Sequence, residues 1–360
     1  FMLNTKILVI YPEVNKTKMA IYQNGEIAFL KTIRHKPEVL AAFEDINDQL
    51  LFRVDGIMSE LKDNEAEPET IKIIMSRGGL IKPLKSGIYE VNEQMKADLR
   101  TGVMGRHATN LGGLIADEVA KRLPSAKAYL GDPVVVDELD DMARVSGHPL
   151  IERKSIFHCL NHKFVARKYS KSVNKPYSEL NLIVAHIGGG GISVGAHRKG
   201  RVVDVNQAFD GDGPFAVMRS GSLPVGDLVE ICFSGKYSKQ EVRKMITDEG
   251  GLAAYLGTSS LSEIEIRLAA NDEKAWFYVN AMAYQVAKEI GAMGTVLEGK
   301  VDAIVLTGNI LNNKKFTDEI TKRVDQIAPI TVYPVVNDLD SLAANGMLVL
   351  KGQAEIIEYA

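Results

Sequence analysis

The sequence predicts an α/β fold of two similar domains, and three observations support this. The chain has 360 residues, too many for one ordinary hydrophobic core, so two domains of similar size are expected. Its composition, 46% hydrophobic and 25% charged, is that of a globular protein that can fill two cores. A strand-turn-strand pattern also occurs once in each half of the chain.

The first copy of this pattern opens the chain. Apolar runs at residues 7–10 and 19–22 predict two strands. The pair Asn24-Gly25 is typical of a type I′ hairpin turn, and residues 27–33 form the third predicted strand. We therefore expect a three-stranded meander.

The second copy lies 175 residues further on, and Tyr11 then falls on His186 and Gly25 on Gly200 without a gap. Its predicted strands are residues 182–185, 192–196 and 201–205, with the turn at Lys199-Gly200. The match is exact in length but weak in identity, so a chance alignment of two unrelated meanders is the alternative.

Further elements follow each copy. The predicted strands are residues 71–75, 128–130, 303–306 and 330–335, and the predicted helices are residues 111–122 and 276–293. Strands and helices in both halves indicate paired α/β domains with a cleft between them. Small ligands commonly bind in such clefts.

Composition excludes several functions. The net charge is −3 and no long basic run occurs, so neither a nucleic-acid nor a membrane surface is expected. No apolar run is long enough to span a membrane. Cys159 and Cys232 are the only cysteines, which excludes a disulfide framework and fits a cytoplasmic location.

A glycine-rich turn, Gly188 to Gly191, joins two strands of the second copy. Successive backbone N–H groups in such a turn can hold a phosphate, and the alternative is a flexible hairpin tip. The sequence is neither a P-loop nor a dinucleotide fingerprint. The matching turn of the first copy has no glycine, and Glu13 there would repel a phosphate.

Charged residues stand at predicted strand ends. Arg77 and Arg219 lie in loops where a guanidinium fork can bind phosphate or carboxylate, although each alone could be an exposed surface arginine. Asp132 could bind Mg²⁺ through water or cap the next segment, and Asp137 is a second candidate.

Two histidines, His158 and His162, have the i, i+4 spacing of a helical metal pair. No third ligand is evident, so zinc is disfavoured. A single histidine that donates a hydrogen bond to a phosphoryl group is the favoured reading.

Segments spread along nearly the whole chain resemble the acetate and butyrate kinase family, its butyrate kinases in particular. They are residues 76–83, 89–92, 105–115, 132–138, 156–161, 185–190, 219–224 and 250–258. The resemblance implies two duplicated ribonuclease-H-like domains facing each other across a nucleotide cleft, as in sugar kinases, Hsp70 and actin. We expect them at residues 1–147 plus about 340–360 and at 148–339.

The resemblance also implies the activity, a reversible phosphoryl transfer between ATP and a short-chain carboxylate that uses Mg²⁺. The implied catalytic residues are Arg77, Asp132, His158 and Arg219, with Asp132 on the metal side. The implied nucleotide-binding residues are Thr17, Lys18, His186, Gly188, Gly189, Gly190, Gly308 and Asn309. The family associates through its second domain, so a homodimer or higher homo-oligomer is expected.

The chain departs from the family on the nucleotide side. Tyr11, Glu13 and Val14 replace the usual Asn, Gly and Ser of the first turn. Residues 258–262 lack the usual Asp and Arg, and Asn309 replaces a Gly. A catalytically silent paralogue that binds and regulates a partner is therefore the alternative hypothesis, and a filament protein or chaperone is disfavoured.

Overall fold

A computed structural model describes residues 4–334 and 336–360. The chain forms two compact units: residues 4–136 with 337–360 in the first, and the described part of 137–336 in the second. The division therefore falls after residue 136, earlier than the expected 147. Residues 137–147 join the second unit through ion pairs, including Glu138 with Lys163 and Asp140 with Arg198, both with oxygen–nitrogen distances of 2.6 Å.

The strands are numbered in chain order. They are β1 (Lys6–Pro12), β2 (Lys16–Gln23), β3 (Glu26–Arg34), β4 (Ile71–Ser76), β5 (Ile88–Glu90), β6 (Lys127–Gly131), β7 (Val145–His148), β8 (Ile151–Glu152), β9 (Asn181–Gly188), β10 (Gly191–Arg198), β11 (Arg201–Val205), β12 (Ala303–Thr307), β13 (Ile330–Tyr333) and β14 (Ile356–Ile357).

The α-helices are numbered in the same way. They are α1 (Pro37–Leu40), α2 (Gln49–Asp63), α3 (Glu93–Thr101), α4 (Leu111–Lys121), α5 (Asp141–Arg144), α6 (Cys159–Ser172), α7 (Val225–Phe233), α8 (Lys239–Thr247), α9 (Gly251–Leu256), α10 (Leu261–Ala269), α11 (Glu273–Val296), α12 (Lys314–Val324) and α13 (Asp338–Leu350).

All the strands and helices predicted above occur. The bounds differ by a few residues, as is usual at element ends. The strand predicted at 330–335 is observed as β13, which ends at Tyr333, and Val335 lies outside the described residues. Among residues 4–334 and 336–360, no helix is long and apolar enough to cross a membrane.

Each unit contains one large mixed sheet. The first has the strand order β14-β5-β6-β4-β1-β2-β3, and the second has β11-β10-β9-β12-β13. Five strands of the first sheet, β3-β2-β1-β4-β6, thus repeat the complete order of the second. The central strands are buried on both faces, with β1 residues 7–10 at most 1% exposed, because helices such as α4 and α13 pack on the first sheet.

The hairpin register shows that the two halves are duplicates. Tyr11 pairs with Lys18 in the first unit, and their equivalents 175 residues later, His186 and Ser193, pair in the second. A bulge between Ile21 and Tyr22 also recurs at the equivalent position of the second hairpin. A chance alignment would not reproduce an irregularity, so the predicted repeat is confirmed.

Both predicted hairpin turns have the left-handed backbone of type I′ geometry. Asn24 and Gly25 have φ values of 53° and 85°, and Lys199 and Gly200 have 49° and 84°. Glycine meets this requirement without steric cost at the second position, which is why the pattern marks the turn.

A cluster of partly buried acidic residues lies beside the second sheet. Arg153 pairs with Asp204, with a nitrogen–oxygen distance of 2.9 Å, and approaches Asp212 at 3.8 Å. Glu289 of α11 faces the same group. Burial, together with the charges of Asp212 and Asp204, raises the pKa of Glu289 to about 7. The single positive charge of Arg153 therefore faces three carboxyl groups.

We expect Glu289 to make the protein less stable as the pH rises from 4.5, its ordinary pKa, to about 7. In that range the folded protein binds more protons than the unfolded chain, so the free energy of unfolding falls, by on the order of 3 kcal/mol. Glu289→Gln should abolish this loss. Urea unfolding at about pH 5 and about pH 8 measures it.

Glu273→Gln, an exposed change on the same helix, is the control and should keep the pH dependence of the wild type. The assignment is contradicted if Glu289→Gln and the wild type lose equal stability over this range.

Candidate active site

Parallel strand pairing places the candidate residues of each unit at one edge of its sheet. The pairing of β1 with β4 stops at Ile10 and Ser76, so the next residues, Tyr11 of β1 and Arg77 after β4, lie side by side at this edge. In the second unit the pairing of β9 with β12 stops at His186 and Thr307, the last residue of β12. The carboxyl ends of parallel strands are the usual site of ligand binding in α/β proteins.

Arg77 lies on an aromatic platform. Its Cζ is 4.2 Å from the ring centroid of Tyr11, and its Nη1 donates to the carbonyl of Pro12 at 3.2 Å. Burial, and a hydrogen bond with Asp338, raise the pKa of Tyr11. The ring is therefore neutral, and it orients the guanidinium of Arg77. Arg77 is thus not the exposed surface arginine that was the alternative.

Asp132 is held in a constrained backbone conformation. Its φ is 38°, its side chain is 3% exposed, and its Oδ1 accepts hydrogen bonds from Ser86 Oγ at 2.6 Å and Gly87 N at 2.9 Å. The loop at Ser86 and Gly87 thus fixes the direction of the carboxylate. Such local strain is common at functional sites.

Asp137, the second acid considered, is already engaged. Its Oδ2 binds Arg144 Nη1 at 2.6 Å, and its Oδ1 accepts from Leu139 N at 3.1 Å. Its charge is neutralised inside the second unit, so Asp132 is the better candidate for the magnesium side.

The turn between β1 and β2, residues 13–15, is called the first turn here, and a buried cation supports it. Arg53 of α2 is fully buried, and its guanidinium donates to the carbonyls of Glu13, Val14 and Lys16 at 2.8, 2.9 and 3.2 Å. Burial lowers the pKa of Arg53 to about 10, which still leaves it charged at neutral pH. The backbone carbonyls of this turn therefore point inward.

This direction fixes the turn amides. No cis peptide bond occurs in the described chain, and in a trans peptide the N–H points opposite to the preceding carbonyl. The N–H groups of Val14 and Asn15 consequently point away from Arg53. A turn without glycine thus presents two adjacent amides outward, as a phosphate-binding turn does.

Glu13 does not leave this turn negatively charged. Its carboxylate binds Lys16 Nζ at 3.0 Å and Lys18 Nζ at 3.4 Å, so two cations face one anion. Burial and the nearby cations Lys18 and Arg34 lower the pKa of Lys16. The expected repulsion between Glu13 and a phosphate is therefore offset.

Thr17 lies beneath the turn rather than on it. It is fully buried, and its Oγ1 contacts His35 Nε2 at 2.8 Å and Arg53 Nη1 at 3.1 Å. The structure thus places the Thr17 hydroxyl where it supports the turn, in contrast to the nucleotide contact that the resemblance implied.

In the second unit His158 lies against His186. The two rings stack with centroids 4.1 Å apart, and His158 Nδ1 is 2.7 Å from Ser193 Oγ. His158 is the residue before α6, and His162 in its first turn reaches the same Ser193 Oγ at 2.9 Å. The predicted histidine pair therefore converges on a serine.

Arg219 is fixed by its own loop. Its Nη1 donates to the carbonyl of Ala208 at 2.7 Å, and its Cζ lies 5.1 Å from the ring centroid of Phe209. A Cβ at Gly191 would lie 2.5 Å from Arg219 Nη1. The last glycine of the glycine-rich turn thus makes room for this arginine.

Packing explains three of the four glycines in that turn. A Cβ at Gly188 would meet His186, and a Cβ at Gly189 would meet Leu261, at 2.8 and 2.9 Å. Nothing lies within 4 Å of a Cβ at Gly190, and none of the four has the left-handed backbone that requires glycine. Gly190 is thus the position where open space favours the approach of a ligand.

The loop after β12 contacts the glycine-rich turn. Gly189 N donates to Asn309 Oδ1 at 3.2 Å. Gly308 has a φ of 120°, and a Cβ there would collide with the backbone of Ile187. Asn309, a departure from the family pattern, thus ties the two predicted nucleotide loops together.

The segment at 258–262 has a local structural role. Ser260 caps α10 by accepting from Glu263 N at 3.3 Å, and Thr258 Oγ1 donates to Glu263 Oε2 at 2.7 Å. The residues that replace the expected Asp and Arg therefore begin a helix.

Sequence reasoning missed Arg53, Ser193 and the histidine His197. Arg53 was missed because an arginine in a helix is usually exposed, so its position in α2 gave little indication that it is buried. Ser193 and His197 alternate with Gly195 on β10, and this spacing of two residues could have shown that they share one face of the strand.

A family model described as the acetokinase family matches residues 146–353, more than half of the chain. The chain belongs to the acetokinase family. Butyrate kinase 2 and butyrate kinase 1 of Clostridium acetobutylicum are 48% and 47% identical to it, each over 98% of this chain and 99% of the relative. The predicted family is therefore confirmed.

The fold prediction is also confirmed. The crystal structure of Porphyromonas gingivalis acetate kinase matches with a TM-score of 0.77, covering 96% of this chain and all of that one, at 17% identity. This acetokinase thus has the α/β fold of duplicated ribonuclease-H-like domains that its resemblance implied.

We expect Arg53→Met to destabilise the acetokinase by about 3 kcal/mol, because the carbonyls of the first turn lose their donors. Arg53→Lys should be intermediate, since it keeps the charge but loses the planar fork. The control, Lys62→Met on the exposed face of α2, should change stability by less than about 0.5 kcal/mol. Urea unfolding measures all three, and equal losses for the two methionine variants would refute the role of Arg53.

Proposed function

We propose that this protein is a butyrate kinase, which reversibly transfers a phosphoryl group between ATP and butanoate to give butanoyl phosphate and ADP. The supporting observation is 48% identity to Butyrate kinase 2 over nearly the full length of both chains. Membership of the acetokinase family supports the same reaction class.

The chemistry suits the residues. A carboxylate is already a nucleophile, so the reaction needs no general base. The protein has to align donor and acceptor and neutralise charge on the transferring oxygens. We assign Arg77 and Arg219 to the carboxylate and phosphoryl oxygens, and His158 to hydrogen-bond donation to the phosphoryl group. Each is held by the neighbouring contacts described above.

Asp132 fits a magnesium role. Its carboxylate is buried, and Ser86 and Gly87 fix its direction through one oxygen. Carboxylates are preferred ligands of Mg²⁺, often through water. When bound, Mg²⁺ neutralises phosphate oxygens, and Asp132 would hold it from the first unit.

We assign the ATP phosphates to the turn at Gly188, Gly189 and Gly190, where the Gly189 amide would exchange its bond to Asn309 Oδ1 for one to a phosphate oxygen. We also assign them to the first turn, where Lys16 and Lys18 are the nearby cations. His186, Gly308 and Asn309 complete the proposed nucleotide-binding set. The outward amides of Val14 and Asn15 and the neutralised Glu13 support ATP binding in spite of the altered sequence. The altered sequence of the first turn is therefore weaker support for the alternative, a catalytically silent regulatory paralogue.

We further propose that the two ribonuclease-H-like domains correspond to the two compact units, so that the boundary lies at residue 136 instead of 147. As in the family, we propose a cytoplasmic homodimer or higher homo-oligomer.

We expect the protein to form acyl phosphate from butanoate, ATP and Mg²⁺, trapped as the hydroxamate. Arg77→Met and Arg219→Met should each lower kcat by about 100-fold or more, because each removes a donor to developing charge. Arg323→Met, on α12, is the control and should retain activity. The absence of product with any short-chain acid at millimolar ATP would overturn the proposal.

Nucleotide binding separates the kinase from a silent paralogue. We expect ADP with Mg²⁺ to bind in a calorimetric titration. The double variant Glu13→Gly with Val14→Ser, which restores the family pattern, should change affinity by less than about tenfold, because the turn already presents its amides. A wild type that binds no ADP beside a variant that binds well would instead favour the silent paralogue.

A further inference from the structure

Five side chains of the second unit form a continuous hydrogen-bonded chain that starts at His158. His158 Nδ1 lies 2.7 Å from Ser193 Oγ, and Ser193 Oγ lies 2.9 Å from His162 Nε2. His162 Nδ1 lies 3.1 Å from His197 Nε2, and His197 Nδ1 lies 2.6 Å from Tyr177 Oη. We refer to these five residues as the histidine chain.

Local structure explains why they meet. Ser193, Gly195 and His197 alternate along β10, so they share one face of the strand. His158 and His162, four residues apart at the start of α6, face this side together. A Cβ at Gly195 would lie 3.2 Å from His162 Cε1, so the glycine leaves room for the ring.

The middle of the histidine chain is buried and uncharged. His162 and His197 are fully buried. Burial lowers the pKa of each well below its usual value, and the charge of Lys163 acts in the same direction. The Lys163 ammonium is itself balanced by Glu138 at 2.6 Å. Both imidazoles are therefore neutral at neutral pH.

Neutrality makes the histidine chain directional. A neutral imidazole has one N–H donor and one acceptor nitrogen, and a hydroxyl donates one proton. Each bond therefore fixes the direction of the next. Ser193 Oγ also accepts a hydrogen bond from His158 N at 3.5 Å, so its two lone pairs cannot accept from both imidazoles as well. Two arrangements then keep every bond: all donors point from Tyr177 toward His158, or all point the other way.

Tyr177 selects between them. A phenol is a stronger acid than a neutral imidazole N–H, and an imidazole nitrogen is a better acceptor than a phenol oxygen. Tyr177 Oη therefore donates to His197 Nδ1. The donors then follow through His197 Nε2, His162 Nε2 and Ser193 Oγ, and His158 Nδ1 accepts the last bond.

We propose that Tyr177 and His197, acting through His162 and Ser193, are positioning residues that hold His158 in the tautomer with its proton on Nε2. This rests on the proposed function, in which His158 donates to the phosphoryl group. The opposite tautomer presents a lone pair at Nε2, which repels anionic oxygens. The hydrogen bond at one ring nitrogen thus sets the chemistry of the other.

The tautomer can be measured without any reaction. In ¹⁵N-histidine-labelled full-length protein, with the His158 signals assigned by comparison with His158→Gln, we expect Nε2 to be protonated and Nδ1 to be an acceptor. Tyr177→Phe should produce a detectable fraction with the proton on Nδ1. A wild type with the proton on Nδ1 would overturn the proposal, whether or not the protein proves to be a kinase.

Kinetics provide the second readout. Tyr177→Phe should lower kcat for acyl phosphate formation by about tenfold while KM for ATP and butanoate stays within about twofold. Ser193→Ala, which breaks the histidine chain beside His158, should lower kcat at least as much. The double variant should be no slower than Ser193→Ala alone, because both act on one tautomer.

Tyr169→Phe, the same change on α6 outside the histidine chain, is the control and should leave kcat within about twofold of the wild type. Multiplicative losses in the double variant, or an unchanged kcat in Tyr177→Phe, would overturn the proposal. If Tyr177→Phe does not fold, the tautomer and kcat of Ser193→Ala decide the same question.

Discussion

The parallel pairing between the first strand of each hairpin and the strand that follows it is the constraint on which each unit depends. It joins β1 to β4 and β9 to β12. Because this pairing stops at Ile10 and Ser76 and at His186 and Thr307, the backbone alone brings the residues that follow to one edge of each sheet. Arg77 beside Tyr11 follows from this pairing, as does the position of His186 next to the loop that contains Gly308.

The two copies of the hairpin differ in the residues that stabilise the turn between their first two strands. In the second copy, Gly188 and Gly191 leave space for His186 and Arg219. In the first copy, larger residues are tolerated because Arg53 draws the turn carbonyls inward. The two similar backbones are therefore supported differently, by glycines in the second copy and by a buried cation in the first.

The sequence predicted the features that depend on local patterns. The hairpins followed from alternating apolar residues and from Asn24-Gly25, and the helices from their period. The predicted roles of single residues depended on distant contacts and were less secure. Glu13 looked repulsive because its pairing with two lysines depends on the turn geometry. Arg53 was not selected at all, because its partners are backbone carbonyls about forty residues away, which no sequence pattern reveals.

The first unit is discontinuous in the chain, since residues 337–360 return to it after the second unit. They supply α13, which packs on β1 and β4, and the edge strand β14, followed by Tyr359, whose Oη donates to Asp98 at 2.7 Å. During synthesis on the ribosome, the entire second unit emerges before these pieces. Vectorial folding would therefore finish the second unit first, and the apolar surface of β1 and β4 waits for its covering helix.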